Sequence, residues 1–145
     1  MTEGRRFSNI ALIGFMGTGK STVGQIVASL LKFEFVDTDE MIEGMAGKRI
    51  SEIFSSEGEE RFREYERQAV QHLKDLKGAV ISTGGGMVTK PENLASLKEH
   101  ALVVCLWCSP ETIFRRVGHQ SHRPLLRVDN PLEKIRELWR RSPLF

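Results

Sequence analysis

Apolar residues fall along this chain in two alternating rhythms. Short runs at Asn9 to Ile13, Glu34 to Val36, Ala79 to Ser82 and Leu102 to Trp107 have the length and β-branched content of buried strands. Between them, apolar positions recur at helical spacing, which predicts helices over Lys20 to Leu31, Asp39 to Met45, around Ile50 to Ser55, and Glu59 to about Leu76. Further helices are predicted over Pro91 to Leu97, Pro110 to Val117 and Pro131 to Arg141, with proline at or near the first turn of the second of these. Strands that alternate with helices in this way imply an α/β fold, a parallel sheet covered by helices on both faces. The stretch Gly118 to Asn130 breaks the pattern, having little apolar content and no period while carrying Arg123 and Arg127. It reads as a surface loop long enough to act as a lid on a single domain spanning 1–145.

The join between the first strand and the first helix carries the strongest chemistry in the chain. It reads Gly14-Phe15-Met16-Gly17-Thr18-Gly19-Lys20-Ser21-Thr22, the spacing of a phosphate-binding loop in the strand-to-helix context that such a loop requires. Glycines let backbone N–H groups turn inward around a phosphate, and the helix that follows presents its positive end. Lys20 supplies a point charge and Ser21 a hydroxyl for Mg²⁺. Nucleotide binding by Gly17, Thr18, Gly19, Lys20, Ser21 and Thr22 is therefore expected.

Composition narrows the partners. The chain has 145 residues, enough for one domain with a real core and no sign of a second. Its 21 basic and 19 acidic residues give a formal charge of +2, too balanced to argue for wholesale binding to nucleic acid or a membrane surface. No apolar run approaches the roughly 18 residues that span a bilayer, and the N-terminus lacks an apolar signal core, so a cytoplasmic protein is expected. Cys105 and Cys108 form a C-x-x-C at the end of an apolar run, with no second pair in the chain. Small strand residues are the expected reading there, ahead of a redox or metal site.

Three further groups bear on chemistry. Gly84-Gly85-Gly86 follows a predicted strand directly, placing bare backbone at the carboxyl end of a parallel strand, where ligands of such sheets bind. Asp37 and Asp39 end the second strand, and residues two apart in an extended segment face one side, so both carboxylates are expected to face one crevice. One can hold Mg²⁺ through water, and the other can accept hydroxyl hydrogen bonds or a proton; either can instead cap the next helix. Arginines become dense late in the chain, suiting anionic ligands. Arg136 and Arg140 have the spacing of a solvated helix face, with Glu133 or Glu137 in reach of Arg136, and Arg63, among glutamates, reads from its pattern as a surface arginine. His119 and His122 lack an evident third metal ligand and read as loop histidines.

With these pieces in hand, the chain resembles the shikimate kinase family. The matching segments are the phosphate loop through Val23-Gly24, Phe35-Val36-Asp37-Thr38-Asp39, Ile42-Glu43, Ile50 to Phe54, Gly58-Glu59 with Phe62-Arg63 and Glu66, Thr83 to Gly86, Arg123 to Leu126, and Arg141 to Leu144. The resemblance implies a P-loop kinase fold of nucleoside-monophosphate-kinase type, acting as a monomer, in which ATP phosphorylates the 3-hydroxyl of shikimate. It implies that Lys20 holds the β and γ phosphates, that Ser21 and Asp37 serve Mg²⁺, and that Asp39 binds the shikimate hydroxyls and acts as a base. It further implies backbone contacts from Gly85 and Gly86 and a carboxylate grip by Arg63 and Arg141. Arg123 would meet the transferring phosphoryl group from the lid, and Arg116 would lie near the adenine. Two departures accompany it: Phe145 stands where members commonly have tyrosine, and the chain is expected to lack the family's last strand and helix. A related small-molecule kinase, such as a gluconate kinase, or a nucleotide-binding module without turnover would share the loop and sheet but not the whole set.

Overall fold

The computed structural model describes residues 6–14, 18–117 and 130–141. In chain order these form β1 (Asn9–Gly14), α1 (Lys20–Leu31), β2 (Glu34–Asp37), α2 (Thr38–Ala46), α3 (Ile50–Ser56) and α4 (Glu59–Leu73). Then come β3 (Ala79–Ser82), a 3-10 turn at Met87–Thr89, α5 (Pro91–His100), β4 (Ala101–Leu106), α6 (Pro110–Val117) and α7 (Pro131–Arg141).

All described strand pairs are parallel, in the order β2-β3-β1-β4. This order places β1 inside, with Ala11 opposite both Ile81 of β3 and Val103 of β4. Strand alternation then sorts the core into two layers. Ala11, Ile13, Ala79 and Ile81 pack with Leu73 of α4 and Leu97 of α5 on one face. On the other, Leu12 and Val80 meet Ala28 of α1, with Ile10 and Phe35 beside them. Burying a side chain such as Ile81 fully is worth about 1.5 to 3 kcal/mol, which is why the inner strands carry apolar residues on both faces. The expected two-sided covering is present.

A second apolar cluster lies off the sheet. Ile42 of α2, Ile53 of α3, and Phe62, Tyr65, Ala69 and Val70 of α4 close around Met87. This cluster seats α2 and α4 against the loop after β3, and so places the residues that those helices carry into the site.

Boundaries differ from the sequence pattern where local chemistry competes with it. Strand β4 spans Ala101–Leu106, one residue earlier at each end than expected. Helix α4 ends at Leu73, three residues early, where the chain tightens into turns: the Asp75 and Leu76 N–H groups bond the carbonyls three residues back, of His72 and Leu73, each at 3.2 Å. Leu76 nevertheless packs on the sheet core, so the apolar spacing continues past the helix that it implied. Cys108 falls beyond β4; it is half-buried, Cys105 is exposed, and both are free thiols.

Candidate active site

The phosphate loop leaves the inner strand through a residue that only glycine fits. Gly14 has φ 143°, and a Cβ there would overlap the carbonyl oxygen of Leu106 on β4. Gly19, with φ 92°, starts α1 without a side-chain cap, and the first turn of that helix carries no acidic residue. Its N-terminal N–H groups and the positive end of its dipole are thus offered to the loop without a carboxylate from the helix's own first turn. Lys20 Nζ folds back and donates to the Gly14 carbonyl at 2.6 Å, spanning the loop that it would serve. Thr18 is buried, while Ser21 and Thr22 are exposed in the first turn. Gly17 lies outside the described residues.

The two aspartates are arranged differently from the expectation. Strand β2 stops at Asp37 and α2 starts at Thr38, so Asp37 and Asp39 are not two residues of one extended segment. The cause is that Asp37 is the helix cap: its Oδ1 accepts from the N–H groups of Asp39 at 2.8 Å and Glu40 at 3.2 Å. Its other oxygen, Oδ2, accepts from Ser21 Oγ at 3.4 Å. Capping and the approach to the phosphate loop, weighed above as alternatives, are both satisfied by one carboxylate. A hydroxyl and a carboxylate oxygen side by side suit a hard divalent cation that takes its remaining ligands from phosphates and water. No cluster of three or more His, Cys, Asp or Glu is present among the described residues.

Asp39 turns instead toward the loop after β3. A Cβ on Gly84 would lie 2.6 Å from Asp39 Oδ1, so the carboxylate rests against bare backbone. Two residues on, a Cβ on Gly86 would overlap Arg63 Nη1 and come within 2.9 Å of Nη2. The glycine triplet therefore admits two charged groups of this same chain, one from α2 and one from α4. Neither Gly84 nor Gly86 has positive φ, so close approach is what these positions require.

Arg63 is not the ordinary surface arginine that its sequence pattern suggests. Its side chain is 22% exposed and donates from Nη1 to Glu66 Oε1 at 2.6 Å, while Glu66 is 1% exposed. A second contact, Nη2 to Glu59 Oε1 at 3.2 Å, involves a carboxylate that is largely in solvent. Burial alone works against the charge on Arg63, but the hydrogen bond and attraction of Glu66, with Glu59 behind them, outweigh it and raise its pKa. Burial pushes the Glu66 carboxyl above its usual range, with Arg63 pulling it back down and the charge of Asp39 adding to the rise. The contact is short, and a permanently charged guanidinium at 2.6 Å makes the bond charge-assisted. Glu66 thus fixes the guanidinium over Gly86.

Glu66 was legible as a family match but not as a functional group. One signal was available: it stands on the apolar stripe of α4 with Phe62, Ala69, Val70 and Leu73, a position where a carboxylate has to be paired. Thr38 was missed as well. Its buried hydroxyl accepts from the Gly84 N–H at 2.9 Å.

Other expected residues stand elsewhere or go undescribed. Arg116 is in α6 and Arg141 is the last residue of α7, with side chains outside the described set, as is the whole of Arg123. His119, His122 and the expected lid up to residue 129 also lie outside it. Arg136 pairs with Glu133 at 2.5 Å, as its spacing suggested, and also with Glu111 of α6 at 3.1 Å, tying α7 to α6.

Comparison with known proteins decides what this arrangement belongs to. A family model described as shikimate kinase matches residues 16–145. The chain belongs to the shikimate kinase family. It is therefore a kinase, and membership implies ATP as the phosphoryl donor. A shikimate kinase of Thermodesulfovibrio yellowstonii is 50% identical over 138 residues, which are 94% of this chain and 80% of that one. A solved shikimate kinase from Acinetobacter baumannii, in complex with shikimate, superposes with a TM-score of 0.89 at 42% identity, over 92% of this chain and 75% of that one. A gluconokinase from Sinorhizobium meliloti has a TM-score of 0.54 at 18% identity, over 92% of this chain and 74% of that one. That last likeness shows the fold alone. No helix among the described residues is long and apolar enough to cross a membrane.

Proposed function

We propose that the site transfers the γ-phosphoryl group of ATP to the 3-hydroxyl of shikimate, giving ADP and shikimate 3-phosphate. The observation that carries this reading is convergence at the carboxyl edge of the sheet. The phosphate loop follows β1, the aspartate pair follows β2, and the glycine triplet, with Arg63 lying across it, follows β3. A donor site for polyphosphate is thus joined at this edge by a glycine floor that carries a carboxylate suited to hydroxyls and a guanidinium suited to an acid group.

Each residue has a role that its chemistry suits. N–H groups from Gly17, Thr18 and Gly19 and the first turn carrying Ser21 and Thr22 receive the phosphates, while Lys20 leaves the Gly14 carbonyl to neutralise charge that grows in the transition state. Ser21 and Asp37 would hold Mg²⁺, which would supply positive charge to offset that of the phosphates. Asp39 binds the acceptor hydroxyls and takes the proton of the attacking one as the phosphoryl group arrives. Arg63, held by Glu66, grips the acceptor carboxylate together with Arg141, and backbone at Gly85 and Gly86 completes the floor. On family resemblance, Arg123 is assigned to the transferring group, 118–130 to a lid and Arg116 to the adenine; residues 118–129 and the Arg116 side chain lie outside the described set. The enzyme works as a single-domain monomer in the cytoplasm, without nucleic-acid or membrane partners.

The test is ATP- and Mg²⁺-dependent phosphorylation across shikimate, gluconate and a shikimate analogue whose carboxylate is replaced by a neutral group. Shikimate should be used far better than either of the others. Preference for gluconate, or indifference to the carboxylate, would overturn this reading.

A further inference from the structure

The bond between Thr38 and Gly84 joins residues 46 apart in sequence, and it forms where the ladder between β2 and β3 ends. The last paired residues of that ladder are Asp37 and Ser82. Beyond them, successive N–H groups of the β3 chain still point alternately to its two neighbours, as in any strand. The N–H of Thr83 turns to β1 and bonds the Leu12 carbonyl at 3.1 Å, so the next one, of Gly84, faces β2. No strand carbonyl awaits it there. In this register the carbonyl due to it is that of Thr38 itself, but Thr38 is the first residue of α2, and a helical carbonyl points along its own helix. The Thr38 hydroxyl stands in that place, with its residue fully buried.

We propose that Thr38 is a positioning residue: its hydroxyl substitutes for the strand carbonyl that α2 has turned away, and so holds Asp39 against the glycine loop. The geometry leaves little slack. Asp39 is the next residue, and its Oδ1 already sits at contact distance from Gly84, the residue that Thr38 anchors. A shift of the loop by one hydrogen-bond length would move the Asp39 carboxylate off the acceptor hydroxyls, and a displacement of about 1 Å costs up to roughly 100-fold in rate. Without the hydroxyl, the buried Gly84 N–H has no acceptor and the loop relaxes to find one. The inference rests on the reading of Asp39 given above.

The experiment compares Thr38→Val, which keeps shape and loses the hydroxyl, with Thr38→Ser, which keeps the hydroxyl. Both are assayed well below their melting temperatures. Thr38→Val should lower kcat with shikimate by at least tenfold and leave the KM for ATP within about twofold, while Thr38→Ser should stay within about threefold of the parent in both. In an Asp39→Asn background, Thr38→Val should add little, because it acts through Asp39. A purely structural role predicts a lower melting temperature for Thr38→Val with unchanged kcat and KM below it, and that result overturns the proposal. So does an equal loss in Thr38→Ser. Amide exchange at Gly84 in the ligand-free protein reads the bond without any turnover. It should quicken in Thr38→Val and not in Thr38→Ser, and unchanged exchange in Thr38→Val also overturns the proposal. If Asp39→Asn leaves acceptor kinetics intact while Gly84 exchange responds as expected, the assignment of Asp39 fails and the Thr38–Gly84 bond stands.

Discussion

The two halves of the site are made in different ways. The phosphate half is local: Gly14, Gly19, Lys20 and Ser21 lie within a single strand-to-helix join, and what they offer is mostly backbone N–H groups, a helix end and one flexible cation. The acceptor half is assembled from three separate stretches. Asp39 comes from α2, Arg63 and Glu66 from α4, and the glycine floor from the loop after β3, all brought together by the apolar cluster around Ile42, Phe62 and Met87. A local site has its geometry set by the covalent chain. An assembled one depends on packing, on a buried ion pair and on the absence of two Cβ atoms. The phosphate half should therefore fail through loss of a functional group, whereas the acceptor half should also fail through small steric changes that leave the fold intact.

The largest effect expected is on the local half. Lys20→Ala should reduce kcat by about 100- to 1000-fold or more, since Lys20 meets charge that develops on the phosphates, with unfolding by heat little changed. A variant retaining near-parent turnover would remove Lys20 from the chemistry. Next, Arg63→Ala should weaken acceptor use by roughly 30-fold or more at nearly constant ATP affinity, as losing one partner of a desolvated charge contact costs about 2 to 5 kcal/mol. The carboxylate-free analogue should erase most of that difference. If parent and variant lose the same factor on carboxylate removal, Arg63 is not the grip.

Gly86→Ala sharpens the comparison further. The three atoms nearest the Cβ it adds all belong to the far end of the Arg63 side chain, and the φ of Gly86 is −97°, which alanine adopts freely. Stability should hold while the KM for shikimate rises on the order of tenfold, because the guanidinium has to move aside. A drop in melting temperature with unchanged KM would place the cost in the fold and not in the site. The smallest effect concerns pH. The Glu66 carboxyl is raised from its ordinary 4.5, so the native state holds that proton more tightly than the unfolded chain does. Its contribution to stability is complete below the ordinary value and is lost as pH rises through the raised native value. Urea unfolding from about pH 4 to pH 7 should show the parent losing stability relative to Glu66→Gln over that window. Parallel curves would mean that Arg63 cancels the effect of burial.

How much of this could be read before any coordinates is decided by the range of the interactions. Every described strand and helix was visible in the apolar periodicity, because period depends on neighbours along the chain; the errors, such as the end of α4 at Leu73, fall where a turn overrides it. The phosphate loop was legible for the same reason, its glycines, lysine and hydroxyl being fixed relative to one another by the backbone. Strand order was not legible. Only the packed sheet decided that β3 lies between β2 and β1, and hence that the ends of β2 and β3 stand side by side. Nor did the sequence separate capping from approach to the phosphate loop for Asp37, since both use the same carboxylate and only its contacts in the fold show that one oxygen caps α2 while the other meets Ser21. Arg63 looked like a surface residue because its charged neighbours in sequence outnumber its apolar ones; tertiary packing buried Glu66 and turned the pair inward over Gly86. Chemistry held within one turn of chain is written in the order of residues, while chemistry shared between segments exists only once the core has closed and removed water from between them.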